Sequence, residues 1–217
     1  MILVRGERTE DDSPIRYALG LLWSINFKAM PTALLWATAL FASIQSKLLL
    51  LRLLAIFLCA MASILGAHLL RRAITPRAKT SLASALKDRI IVSALAISGL
   101  IFAITLENVS RYSHSGEFVR LLMVSNFITA LIGWFFVQIV VVPIRLTSGL
   151  DLSASDTLRQ SLRYVAENKK SLVISLISLL LGWPLFFFYL FLALTFAQAM
   201  TLSTLRTAER SQIAKEF

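Results

Sequence analysis

The sequence predicts an all-α, polytopic transmembrane bundle, and three observations carry that prediction. Hydrophobic residues make up 57% of the 217 and charged residues only 16%, against about one quarter charged in a typical soluble domain. The mean hydropathy is +0.75. The apolar residues are also gathered into long uninterrupted runs instead of the short periodic ones that build a soluble core. At this length a single domain, residues 1–217, is expected.

The elements follow in chain order. Residues 1–13 mix Arg5 and Arg8 with Glu7, Glu10, Asp11 and Asp12, and no short apolar core with a small-residue cleavage site follows, so they read as a retained cytoplasmic tail. Ser13 and Pro14 suit an N-cap and first helical position, with Ile15, Ala18, Leu22 and Ile25 at helical spacing behind them. A spanning helix needs about 20 mostly apolar residues, since every backbone group in hydrocarbon must be satisfied within the segment. Runs over 31–48, 49–70, 90–106 and 119–142 meet that need. Ser81 introduces Leu82, Leu86 and Ile90 ahead of the third span. Ser155 is the expected cap of another amphipathic helix, in which Leu158, Leu162 and Val165 form one face and Arg159, Arg163 and Glu167 the other.

The last apolar stretch, 171–200, would measure about 45 Å as one helix, well beyond the roughly 30 Å hydrocarbon core. Gly182, Trp183 and Pro184 lie inside it, and proline breaks a helix while tryptophan favours the headgroup level. A hairpin of spans 168–182 and 184–205 is the first reading, and one long tilted helix kinked at the proline is the other. Charge separates them. Six spans place eighteen of the 22 Lys and Arg residues on one side, leaving Lys47, Arg52, Arg111 and Arg120 opposite. Cytoplasmic loops carry the basic excess, so both termini are expected in the cytoplasm. The result is three hairpins, each preceded by an amphipathic connector on the basic side.

The segment from Ser155 through Arg163 and Asn168 into the Gly182-Trp183-Pro184 turn resembles the closing hairpin of YciC-like bacterial inner-membrane proteins. The resemblance covers roughly the last third of the chain. It implies six helices and a bacterial inner membrane, and it supplies no catalytic residue.

Chemistry-bearing motifs are scarce. The one cysteine, Cys59, rules out an intramolecular disulfide, and neither His68 nor His114 has a partner at metal-ligand spacing. Gly-x-Ser-x-Gly and Gly-rich phosphate loops are absent from the sequence. No metal, cofactor or enzymatic activity is therefore expected. The net charge of +10 sits beside apolar spans, which points to anionic lipid headgroups and topology signals instead of nucleic acid. Arg71, Arg72, Arg159 and Arg163 are the expected headgroup contacts. Arg52, near the end of its span, is expected to snorkel to the opposite headgroups.

Within the spans, Asn126, Gln138 and Gln198 are the strong polar candidates for a pathway or for interhelical hydrogen bonds, with Asn126, Thr129 and Gly133 on one helical face. Small residues at 55, 59, 62 and 66 and at 96, 99 and 103 read as close-packing stripes. These features predict a non-enzymatic, transport-associated or accessory membrane protein that acts through lipids, further membrane subunits or copies of itself. A small transporter or channel subunit and, third, a lipid-modifying enzyme are the alternatives.

Overall fold

The computed structural model describes residues 14–46, 48–74, 81–147, 152–182 and 194–205. Among them all regular structure is helical: α1 (Pro14–Gln45), α2 (Leu49–Ile74), α3 (Leu82–Lys87), α4 (Arg89–Arg111), α5 (Glu117–Phe136), a π-helical turn (Val137–Val141) running into α6 (Val142–Thr147), α7 (Ala154–Glu167) and α8 (Lys169–Gly182). A last helix, α9, covers 194–205. Among the described residues three helices are long and apolar enough to cross a bilayer, Leu49–Ile74, Arg89–Arg111 and the continuous Glu117–Thr147. They fit an integral membrane protein. α8 ends at Gly182, and Trp183 together with residues 184–193, the beginning of the expected second arm, lies outside the described residues.

The helices depart from the expected segments in ways that have physical causes. Instead of an amphipathic connector followed by a separate span, α1 runs unbroken through Pro31. Proline removes one hydrogen bond, a loss that packed neighbours absorb in a helix otherwise supported on both sides. The connector before α4 is also reduced. Ser81 caps α3 by accepting from the Ser84 amide, yet α3 stops after six residues because Asp88 starts a new helix. The Asp88 carboxylate accepts from the amides of Ile90 (3.0 Å) and Ile91 (2.9 Å), satisfying two of the donors that a helix start leaves open. Finally, the cap of α7 is Ser153 and not Ser155. With Ser153 as cap, Asp156 occupies the third helical position, where its amide donates to the Ser153 hydroxyl (3.1 Å) and its carboxylate accepts from it (2.6 Å).

α1 and α2 form a tight antiparallel hairpin held at its turn by Arg52. This side chain is 4% exposed and donates to the carbonyls of Ser43 (3.2 Å) and Ser46 (2.8 Å) and to the Glu107 carboxylate of α4. Arg52 therefore does not snorkel outward. Three acceptors within the bundle satisfy it more cheaply than exposure at the headgroups would.

The core lies between α1, α2, α4 and α5, and its largest fully buried side chains include Trp36, Phe102 and Trp134. Phe102 and Trp134 stack at 6.4 Å with ring planes 8° apart, an offset arrangement that aromatic pairs favour. This contact exists because Gly99 has no side chain. A Cβ there would come within 2.7 Å of Ile56 and 2.9 Å of Trp134. In the α2 stripe Ala55, Cys59, Ala62 and Gly66 are likewise buried, whereas Ala96 is exposed. Large apolar side chains cover the outside, among them Leu50 and Phe118, each 78% exposed.

Candidate functional site

Two polar assemblies stand out in this apolar frame. The first lies in the bundle interior and begins with Pro143. Having no N–H, proline cannot serve the carbonyls four or five residues earlier, those of Ile139 and Gln138, in a helix already widened here by a π-helical turn; Val142 N–H reaches back to Val137 O. α9 supplies the missing donors. Gln198 Nε2 donates to Gln138 O (3.1 Å) and Thr201 Oγ1 to Ile139 O (2.7 Å). The same Nε2 meets the carbonyl (3.1 Å) and hydroxyl (3.0 Å) of Ser63 on α2. The Gln138 side chain faces α1, where its Oε1 accepts from Trp36 Nε1 at 2.7 Å.

Four helices are thus joined by a seam of fully buried amides. Gly66 is part of it, since a Cβ at that position would lie 3.2 Å from Gln198 Oε1. Among the described residues that oxygen is buried without a hydrogen-bond partner.

The second assembly occupies the end of the bundle rich in basic residues. Arg145, at the close of α6, is 3% exposed and reaches Asp88 Oδ2 through Nε (3.2 Å) and Nη2 (3.1 Å). Its Nη1 donates to the Thr157 hydroxyl (3.2 Å) and to the Leu152 carbonyl. One guanidinium therefore ties the start of α4, the end of α6 and the first turn of α7 together. Tyr164 fastens the far end of α7, with its hydroxyl accepting from Thr204 on α9 (3.0 Å) and 3.4 Å from the Ser171 hydroxyl.

This attachment gives α7 three faces. Thr157, Ser161 and Tyr164 are buried against the bundle. Leu158 and Leu162, at 55% and 57% exposure, project from it. Arg159 and Arg163 form the third face, also exposed. The hydrogen bond that Arg163 Nε donates to the Glu167 carboxylate (2.7 Å), one turn on, raises the pKa of Arg163 further, so this side chain stays cationic.

The structure brings Gln138 and Gln198 together: Gln198 donates to backbone carbonyls of neighbouring helices, that of Gln138 among them, and the Gln138 side chain accepts from Trp36 on α1. It leaves Asn126 apart, exposed on the surface of α5. Of the expected headgroup contacts, Arg72, Arg159 and Arg163 are exposed and Arg71 is half-buried. Among the described residues, Arg71 Nη1 and His68 Nδ1, one turn earlier, are buried without partners. Leu158 and Leu162 project from the bundle, and the side chains that α7 buries in the protein are instead its small hydroxyls and a tyrosine. Among the described residues no group of three His, Cys, Asp or Glu side chains could hold a metal ion.

Sequence reasoning missed Asp88, Arg145 and Trp36. Asp88 was legible in principle, because an aspartate directly before an apolar run is a helix-capping signal. Arg145 carried a weaker signal, a lone charge two residues after a proline at the end of a span. Comparison with protein-family models, with curated proteins and with solved structures finds no match.

Proposed function

We propose that the chain is a non-enzymatic component of a bacterial inner membrane, transport-associated or accessory, that acts through anionic lipids and partner proteins at its basic, cytoplasmic end. The observation that carries this reading is the three-faced mounting of α7. Hydroxyls and a tyrosine hold it to the bundle, so its aliphatic face is free to enter a bilayer, and Arg159 and Arg163, the latter also bonded to Glu167, are exposed where phosphates would lie. Amphipathic helices that lie in the headgroup region have this division of labour. Lys169 and Lys170, both exposed at the start of α8, extend the cationic edge.

The alternative of a substrate path through Asn126, Gln138 and Gln198 draws less support. Gln198 donates to Ser63 on α2 and to the Gln138 carbonyl, while the Gln138 side chain accepts from Trp36 on α1 and donates to Trp134 O of its own helix, the role expected of interhelical glue. The six-helix topology with both termini inside, and the inner-membrane location expected from the YciC-like resemblance, belong to this proposal.

Native mass spectrometry of the protein in nanodiscs of equal phosphatidylglycerol and phosphatidylcholine tests it. The annulus released with the protein should be enriched in phosphatidylglycerol, and Arg159→Gln with Arg163→Gln should remove part of that enrichment. At about 1 kcal/mol per arginine near an anionic surface, the pair accounts for roughly a tenfold or greater preference. An annulus matching the bulk composition, or one that the double variant leaves unchanged, would count against the reading.

A further inference from the structure

We propose that α5 is the contact helix of a symmetric dimer, in which Asn126 hydrogen-bonds to Asn126 of a second copy. The inference rests on Glu117–Thr147 crossing the membrane. Asn126 lies about 14 Å along that helix from Glu117, well into the hydrocarbon. Its side chain is exposed and makes no hydrogen bond within the described residues. A primary amide with two donors and a carbonyl facing lipid tails is costly, and it is stable only when another polar group covers it.

The surroundings of Asn126 are shaped for a helix. Val119, Leu122, Asn126, Thr129, Gly133 and Phe136 follow at alternating spacings of three and four, the a/d seam of a coiled coil. The first five are exposed and Phe136 is half-buried, while Ala130 and Trp134 on the adjoining face of α5 are buried in the bundle. Gly133 opens a notch, since a Cβ there would meet nothing within 4 Å. The Thr129 hydroxyl is already satisfied by Ser125 O at 3.0 Å and brings no unmet donor to the seam.

A second copy is the occupant that fits best. All copies insert with the same orientation, so a two-fold axis along the membrane normal sets α5 parallel to its mate and residue 126 opposite residue 126. An amide both donates and accepts and therefore completes itself across that axis, as a single seam asparagine does when it fixes register in a parallel coiled coil.

Cysteine cross-linking in native membranes tests the contact, in a Cys59→Ala background because Cys59 is the one native thiol. Single variants Leu122→Cys, Asn126→Cys, Thr129→Cys and Gly133→Cys should oxidise to a species of twice the 24.2 kDa chain. Ile128→Cys, exposed but off the seam, should not. In fluorescence energy transfer between labelled copies in vesicles, Asn126→Ala should weaken the dimer about three- to thirtyfold, and Asn126→Gln should restore most of the loss. An adduct of any other mass, equal cross-linking at Ile128→Cys, or wild-type affinity in Asn126→Ala would overturn the dimer. Labelling of Ile128→Cys by a membrane-impermeant maleimide would instead overturn the spanning assignment, and the dimer with it.

Discussion

Breaking the Asp88–Arg145 pair on one side should cost far more than removing it on both. In Arg145→Met the aliphatic stem is kept and the charge lost. Asp88 Oδ1 keeps the amides of Ile90 and Ile91, but Oδ2 loses both guanidinium donors while the side chain remains 5% exposed. Stranding a buried charge in this way costs about 3–5 kcal/mol. Asp88→Ser retains a good N-cap and removes the charge, and Arg145 then keeps the Thr157 hydroxyl and Leu152 carbonyl, for a loss of about 1.5–3 kcal/mol. The double variant has neither charge and still has its cap, so it should lie within about 1–2 kcal/mol of the native protein. Denaturant unfolding in detergent, followed by tryptophan fluorescence, gives the four free energies. Coupling of at least about 2 kcal/mol is expected, and single losses that simply add, to within about 0.5 kcal/mol, would refute the reasoning.

Gly99→Leu should destabilise by about 1–3 kcal/mol or more and quench the Trp134 environment, because Ile56 and Trp134 already occupy the space of a Cβ; a native melting curve would contradict the close approach. Thr201→Val removes the donor to Ile139 O and should cost about 0.6–2 kcal/mol in thermal unfolding, whereas Thr38→Val, whose exposed hydroxyl only returns to its own helix, should cost little. A phosphatase reporter fused after Phe217 should be inactive and a fluorescent one bright, since both termini are expected in the cytoplasm; phosphatase activity there would favour five spans.

What could be read from the sequence divides along physical lines. Apolar run length marked the segments of α2, α4 and α5, because hydropathy over 20 residues depends on nothing distant. The helix ends were harder, and so was the fusion through Pro31, since caps and kinks are settled by neighbours: Asp88 takes over from Lys87, and Ser153 wins over Ser155 because Asp156 then reaches it. The glutamines at 138 and 198 were recognisable as interior polar groups, but their shared purpose depends on which carbonyls Pro143 leaves open, and that appears only when α9 is seen beside α6. Arg52 and Arg145 were least legible. A lone arginine near a span end ordinarily snorkels, and only three-dimensional placement of Glu107, Ser43 and Asp88 reverses that expectation. On α7 the sequence separated the aliphatic from the charged face correctly, while the third face, Thr157, Ser161 and Tyr164, carries no distinctive periodic signal.

The placement of α7 on the membrane surface is the claim from which the lipid-facing function follows, and paired spin labels at positions 162 and 163 in vesicles test it most directly. Leu162 projects from the bundle on the aliphatic face and Arg163 on the cationic one, so the two neighbouring labels should report opposite surroundings. The label at 162 should be shielded from a water-soluble nickel relaxation agent and accessible to oxygen, and the label at 163 the reverse. Equal exposure of both labels to the aqueous agent would show α7 standing in water and would contradict the account.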